Sequence, residues 1–95
     1  MSDFAFKPSN EITFLTVEAN RRDLFEYYRH LESANVLVNL TDVKHCDSAG
    51  LAFLIEAKRI AKQQGKDCQI KNMGQSILAL AEFCGVDGIL GATQI

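Results

Sequence analysis

Apolar residues recur along the chain at two different spacings, and each spacing predicts a different element. Near the N-terminus, residues 4–6 and 12–17 are short runs rich in aromatic and β-branched side chains, which favour strands. The segment between them contains Pro8, Ser9 and Asn10, which are typical of turns. This pattern predicts a β-hairpin at the start of the fold.

The next segment has the period of an amphipathic helix. Asn20 is a favourable N-cap, and residues 21–33 place apolar side chains on one face: Leu24, Tyr27, Tyr28 and Leu31. Residues 36–40 then form a nearly continuous apolar run, which is typical of a strand that is covered on both faces. We therefore predict a first helix, followed by a central strand of the sheet.

A second helix is predicted over residues 48–64, because Gly65 stands where helices commonly end and basic side chains precede it. The half-polar run 67–73 predicts a further strand. Residues 76–84 predict a third helix that a glycine ends. The glycine-spaced tail, residues 86–95, is compatible with a last short strand.

Strands and helices thus alternate after the hairpin, which is the order of an α/β domain whose central strands are parallel and joined by helical crossovers. With the hairpin included, we expect a mixed sheet of four to five strands with helices packed against it. The 95 residues suffice for one core, and the sequence has no repeat and no linker. Residues 1–95 are therefore expected to form a single layered domain.

Charge and hydropathy narrow the possible partners. The net charge is −2 and the ten Lys and Arg residues are scattered along the sequence, so we expect no nucleic-acid partner. The N-terminal residues lack the pattern of a secretory leader. No apolar run approaches the roughly 20 residues that cross a bilayer. We expect a cytoplasmic protein that does not insert into a membrane.

The most distinctive chemistry lies between the central strand and the second helix. Asp47 and Ser48 stand at the predicted helix start, where backbone N–H groups are unpaired and the helix dipole is positive. Either side chain is able to cap the helix. In layered α/β folds this edge is also where ligands and partners bind. Ser48 is therefore a candidate cap, nucleophile, phosphate acceptor or contact residue.

The helical period of residues 51–62 separates two faces. At about 100° per residue, the core face contains five apolar side chains: Phe53, Leu54, Ala57, Ile60 and Ala61. Three other apolar residues fall on the side that we expect to face solvent, among charged neighbours: Leu51, Ala52 and Ile55. Such an apolar patch with a charged rim is typical of a protein interface. The alternative is a helix that is covered on both sides.

The sequence gives little indication of a catalytic site or a metal-binding site. A nucleophilic serine needs a nearby base and a third orienting group, and the two histidines are His30 and His45. The motif around Ser48 is not a G-x-S-x-G elbow, and no phosphate-binding loop is present. We expect no enzymatic activity, no cofactor and no metal.

Three stretches together resemble the STAS domain. They are V-N-L-T-D-V at residues 38–43, C-D-S-A-G-L at 46–51 and I-L-A-L-A-E-F-C-G-V at 77–86, with a helix that ends at Gly65 between the last two. The resemblance covers about residues 11–91. The family includes bacterial anti-sigma factor antagonists and the cytoplasmic tails of sulfate transporters, and it implies a STAS-like α/β fold.

The resemblance also bears on phosphorylation. Anti-sigma factor antagonists typically carry D-S-S-G-L, and a partner kinase phosphorylates the second serine. Ala49 occupies that position here, so phosphorylation there is not possible. Ser48 matches the first, usually unmodified, hydroxyl and is the only hydroxyl on the motif.

With a small residue at position 49, the motif resembles that of the MlaB-type STAS subunit of the Mla phospholipid-transport ABC complex of Gram-negative bacteria. That resemblance implies a cytoplasmic subunit that binds and supports the ATPase of a complex with a permease and a lipid-binding protein. Such a subunit would be peripheral to the inner membrane through its complex. The alternative is an anti-sigma factor antagonist or a related partner-switching protein.

The resemblance places the ATPase contact at the start of the second helix. We expect Asp47 and Ser48 to form hydrogen bonds with the ATPase, with Ala49 in the same contact. The apolar patch defined above would bury its area against the ATPase. Two cations are expected at the rim of the contact: Lys58 and Arg59.

Overall fold

The computed structural model describes residues 5–91 of the chain. Short strands and helices are interspersed along this range in the order β1 (Glu11–Ile12), α1 (Val17–His30), β2 (Asn35–Asn39), β3 (His45–Cys46), α2 (Ser48–Gln63), β4 (Asp67–Lys71), α3 (Gln75–Phe83) and α4 (Asp87–Leu90). The order confirms the α/β class that the alternating pattern predicts.

The strands pair in parallel. β2 pairs with β4, with Val38 opposite Ile70. Phe6 forms a parallel bridge with Val38, so β2 lies between β4 and the N-terminal segment, as the apolar run predicts for a central strand. β1 pairs with β3 over two residues. Within residues 5–91 the strands thus form two separate pairs, all parallel, and not the expected mixed sheet of four to five strands.

The predicted N-terminal hairpin is wrong for the residues that the structure describes, while Phe4 lies outside them. Phe6 pairs with β2, and β1 pairs with β3, instead of with each other. The second β-prone run also ends early, because the N–H groups of Thr16 and Val17 both donate to the Thr13 carbonyl at 2.9 and 2.8 Å. Residues 13–16 therefore form a turn that leads into α1.

Asn20 does not cap α1, which begins three residues earlier with Thr16 as its N-cap. Asn20 is buried instead, and its side chain accepts from the Ser9 backbone N–H at 3.0 Å and donates to the Ser9 hydroxyl at 3.0 Å. A buried amide is stable only when its polar atoms have partners. Asn20 therefore fixes the segment before β1 against the first helix.

The second half of the chain agrees more closely with prediction. α2 and α3 each lie within about one residue of their predicted bounds. Gly65 and Gly85 follow them with φ of 73° and 74°, the left-handed conformation that glycine adopts at little cost. The tail is different, because residues 87–90 form α4 and not a strand. Residues 92–95 of the expected strand lie outside the described residues.

The core lies between the helices and the β2–β4 pair. Its most deeply buried large side chains come from five elements or their flanks: Ile12, Leu24, Val36, Val38, Leu40, Phe53, Leu54 and Leu90. The hydroxyl of Tyr28 donates to the Ala57 carbonyl at 2.6 Å, which joins α1 to α2 inside this core. The position of α2 is therefore set along its buried face.

Candidate functional site

Asp47 joins two parts of the chain at the start of α2. One carboxylate oxygen accepts from the Gly50 N–H at 3.0 Å and caps the helix, while the other accepts from the Phe14 N–H at 3.1 Å. Partial burial opposes ionisation of the carboxyl, but these donated hydrogen bonds outweigh burial and hold the pKa of Asp47 below its ordinary value. Asp47 is therefore an anion at neutral pH that organises the site from within.

Ser48 is the first residue of α2, and its side chain is exposed. The Ser48 hydroxyl forms no hydrogen bond to His45 or to any other residue within the range 5–91. A hydroxyl is both a donor and an acceptor, so it is available to a molecule that approaches from outside. Ala49 is only half-buried beside it and carries no group that accepts phosphate.

Gly50 explains why the helix start sits so close to the strands. A Cβ atom at this position would overlap the backbone carbonyl of Ile12 and lie 2.8 Å from the Cys46 sulfur. The first turn of α2 therefore packs directly on β1 and β3, at a separation that only glycine permits. The glycine of the motif thus fixes where Ser48 is presented.

Phe14 and Leu15 are site residues that the sequence pattern did not identify. Their side chains are 70% and 76% exposed, and the hydrogen bond from the Phe14 N–H to Asp47 holds their turn beside Ser48. Large apolar side chains with this exposure, next to each other, mark a contact surface. We define the Ser48 surface as Phe14, Leu15, Ser48 and Ala52, the last of which is exposed one turn into α2.

The expected apolar patch on α2 needs correction. Leu51 is only 3% exposed and belongs to the core, so its predicted position on the solvent side is wrong. The close approach at Gly50 draws this first turn into the fold. Ile55 is half-buried and packs against the core, while α4 packs against α2. Of the three predicted patch residues, Ala52 alone is exposed.

Lys58 and Arg59 lie apart from Ser48. At 1.5 Å of rise per residue, Lys58 is about 15 Å further along α2 than Ser48. Both side chains line a groove that includes Ile89 of α4. The structure therefore places the predicted rim cations beside a different surface feature.

An ion pair forms the polar border next to Ala52. The Arg21 guanidinium donates two hydrogen bonds to the Glu56 carboxylate, at 2.8 and 2.9 Å, and so connects α1 with α2. The guanidinium also lies 5.2 Å from the centre of the Phe25 ring. Its hydrogen bonds hold the pKa of Glu56 below the ordinary value, against the opposing effect of partial burial.

Replacing Glu56 with glutamine is expected to lower Tm by roughly 1–5 °C at neutral pH, because the pair is partly exposed to solvent. A depressed carboxyl pKa stabilises the fold only above the unfolded pKa of about 4.3. The effect should therefore disappear as the pH falls through the folded pKa. Thermal unfolding at several pH values measures this, with Glu82→Gln on an exposed face of α3 as the control. An equal loss from both variants at neutral pH would contradict the role of the pair.

Cys46 lies beneath the site and is chemically protected. Burial, together with the nearby Asp47 charge, raises the pKa of Cys46 to about 11. Burial also raises the pKa of Cys68, whereas Cys84 is exposed. At pH 8, a thiol of that pKa is about 0.1% thiolate, which is the reactive form.

Iodoacetamide is therefore expected to alkylate Cys84 first, while Cys46 and Cys68 react only after unfolding. Mass spectrometry of peptides from the native and the denatured protein measures this order. Rapid alkylation of Cys46 in the native protein would contradict the packing of α2 against β3.

The described part of the chain shows neither a membrane-spanning helix nor a cluster of metal ligands. No helix among residues 5–91 has the length and apolar character that crossing a bilayer requires. The same range contains no group of three or more His, Cys, Asp or Glu side chains with the geometry to hold a metal ion.

Comparison with known proteins identifies the family. The family model described as "Mlab, STAS domain" matches residues 10–91, which include the Asp47–Ser48 motif, α2 and α3. No curated protein matches the chain. Because the matched range covers most of the 95 residues, the protein belongs to the MlaB-type STAS domain family.

Proposed function

We propose that this protein is a non-catalytic STAS subunit that binds and supports the ATPase of an Mla-type phospholipid-transport ABC complex. Membership of the MlaB-type family supports this assignment. The observation that carries it is the Ser48 surface, where a free hydroxyl lies beside two large exposed apolar side chains. The ATPase would be part of a complex with a permease and a lipid-binding protein.

The Ser48 surface has the chemical composition of an interface centre. Phe14 and Leu15 would lose most of their water contact on binding, and buried anchors of this kind contribute about 2 kcal/mol or more each at the best positions. Ser48 would supply a hydrogen bond at the edge of this apolar area, and Ala52 leaves room for a partner side chain. The ion pair of Arg21 and Glu56 would form part of the polar border.

The proposed role implies where the protein lies in the cell. The protein would lie at the cytoplasmic side of the inner membrane, held there by the ATPase and not by its own insertion. The Ser48 surface would then face the ATPase. Lys58 and Arg59, about three turns along α2, would remain outside the contact.

The double change Phe14→Ala and Leu15→Ala is expected to weaken ATPase binding by at least about 100-fold, since two apolar anchors are lost. Both side chains are largely exposed in the free protein, so the unfolding temperature should change little. Titration of the purified ATPase with labelled protein measures the affinity. Phe83→Ala is the matched control, because Phe83 is 88% exposed but lies at the end of α3. Equal affinity of the double variant and wild type would contradict this interface.

A partner-switching function is the second candidate, and the exposed hydroxyl of Ser48 is the observation that favours it. A phosphate on the first residue of a helix is stabilised by the helix dipole and by free N–H groups. The usual acceptor position of that class is Ala49, which has no hydroxyl. Incubation with a serine kinase of the anti-sigma factor type, followed by mass analysis, separates the candidates. Stoichiometric phosphorylation of Ser48 would favour the switch over the transporter subunit.

Purification of the protein from its native cells tests the transporter assignment directly. The expected partners are an ATPase, a permease and a lipid-binding protein in one complex. The control is the Ser48→Arg variant purified in the same way, which should lose them. Recovery of a kinase that binds a sigma factor, without a transporter, would contradict the assignment.

A further inference from the structure

A basic groove lies between α2, β4 and α4, beyond the Ser48 surface. It has a volume of about 600 Å³ and is bordered by the C-terminal half of α2, the start of β4 and α4. Four cations line it, although the Lys and Arg residues are scattered in the sequence: Lys58, Arg59, Lys62 and Lys66. We call this feature the basic groove.

The cations of the basic groove are not neutralised by ion pairs. None of the four has a carboxylate within 4 Å among residues 5–91, where the ion pairs involve Lys7, Arg21, Arg29 and His30. The Lys66 ammonium donates to the Ser33 carbonyl at 2.8 Å, so it is held in place but keeps its charge. Asp67 is the one carboxylate among the described residues that line the groove.

This arrangement has an energetic cost in the free protein. Lys58 and Lys62 are four residues apart on α2, so their charges are neighbours on one helical face. Lys66 follows the end of the helix and lines the same groove. Like charges at this spacing destabilise a helix. A bound anion would remove this repulsion, and a concave surface concentrates the positive field on such a ligand.

The apolar part of the basic groove is aliphatic. Ile55 and Cys68 lie at its inner side, and Ile89, which is 56% exposed, lies on the α4 side. None of the described lining residues is aromatic, so the groove offers no surface on which a nucleobase would stack. Its volume is in the range of sites for small organic molecules, about 300–1,000 Å³.

We infer that the basic groove binds a phosphate monoester that carries a short aliphatic body. A phosphate monoester has close to two negative charges at neutral pH and three acceptor oxygens. These oxygens match the side-chain donors of Lys58, Arg59 and Lys62, which form no hydrogen bond or close ion pair within the described chain. The guanidinium of Arg59 is suited to phosphate in particular, because a guanidinium binds phosphate through two parallel hydrogen bonds. The aliphatic body would cover Ile55 and Ile89. The inference does not depend on the proposed ATPase contact.

Titration of the protein with hexyl phosphate tests the inference. Nuclear magnetic resonance should show saturable shifts of the amides of Ile55, Lys58 and Ile89, and Tm should rise with ligand concentration. Inorganic phosphate lacks the aliphatic body and hexanol lacks the phosphate, so each should bind at least about tenfold more weakly than hexyl phosphate. Absence of saturation by hexyl phosphate at millimolar concentration would overturn the inference.

Charge variants complete the test. Lys58→Gln with Lys62→Gln should weaken hexyl phosphate binding by at least about tenfold. The same double variant should unfold at an equal or higher temperature without ligand, because like-charge repulsion is reduced. Arg22→Gln with Lys44→Gln removes the same total charge outside the groove and should bind as wild type does. Equal weakening in both double variants would show a general charge effect and overturn the inference.

Binding to lipid vesicles distinguishes two possible ligands that both carry a phosphate monoester, a lipid headgroup and a free ester. The ligand is a lipid headgroup if the protein binds vesicles containing phosphatidic acid and if the double variant Lys58→Gln with Lys62→Gln does not bind them. It is a free ester if hexyl phosphate binds and the vesicles do not. Binding to neither probe would leave the groove without the proposed ligand and overturn the inference.

Discussion

Replacing Gly50 with alanine is expected to lower the free energy of unfolding by about 2–4 kcal/mol. The added methyl group would overlap the Ile12 carbonyl and press on the Cys46 sulfur. The carbonyl is backbone and has no alternative rotamer, so α2 must move away from β1 and β3. A small domain has about 5–15 kcal/mol of stability in total, so a large share would be lost.

Chemical denaturation of the purified variant measures this change. Gly88→Ala is the control, because a Cβ there meets nothing within 4 Å and the residue lies within α4. The control should be neutral or slightly more stable, since alanine restricts the unfolded chain. If Gly50→Ala were as stable as the control, the close packing of α2 on the strands would be contradicted.

Replacing Ser48 with arginine is expected to weaken ATPase binding by about 100-fold or more. The long cation would occupy the centre of the Ser48 surface, and burial of an unpaired charge costs several kcal/mol. Ser48 is exposed in the free protein, so the variant should fold normally. The loss should therefore appear in affinity and not in the circular dichroism or the unfolding temperature.

Ser76→Arg is the matched control for this change. Ser76 is also an exposed serine in the first turn of a helix, but the helix is α3. Co-purification of each variant with the ATPase gives the comparison, and the control should be recovered as wild type is. If Ser48→Arg co-purifies normally, the ATPase contact lies elsewhere on the protein.

The helices α2 and α3 could be predicted from local signals, because each is ended by a signal in its own sequence. Asp47 caps α2, and Gly65 takes the left-handed conformation after it. The first half could not be predicted in this way. Thr13 and Thr16 are β-prone by type, yet their backbone and hydroxyl groups close a turn on each other. Asn20 is a good cap by type, but its buried tertiary partners decide its role.

The candidate site was predictable only in part. The exposed serine follows from the motif and the helix start. The contribution of Phe14 depends on a hydrogen bond to Asp47, which is 33 residues away in sequence, and no local pattern reports such a contact. For Leu51 the local pattern predicts the wrong exposure. A helical wheel places its side chain toward solvent, but the close approach at Gly50 buries it.

The central claim is that the ATPase binds at the start of α2 and on the adjoining turn. Amide hydrogen exchange of the protein, alone and in complex with the ATPase, tests this claim without any substitution. The account predicts slower exchange in the complex at residues 13–16 and 48–52, with residues 82–90 unchanged. Protection confined to residues 82–90, with the turn and the start of α2 exchanging as they do in the free protein, would contradict it.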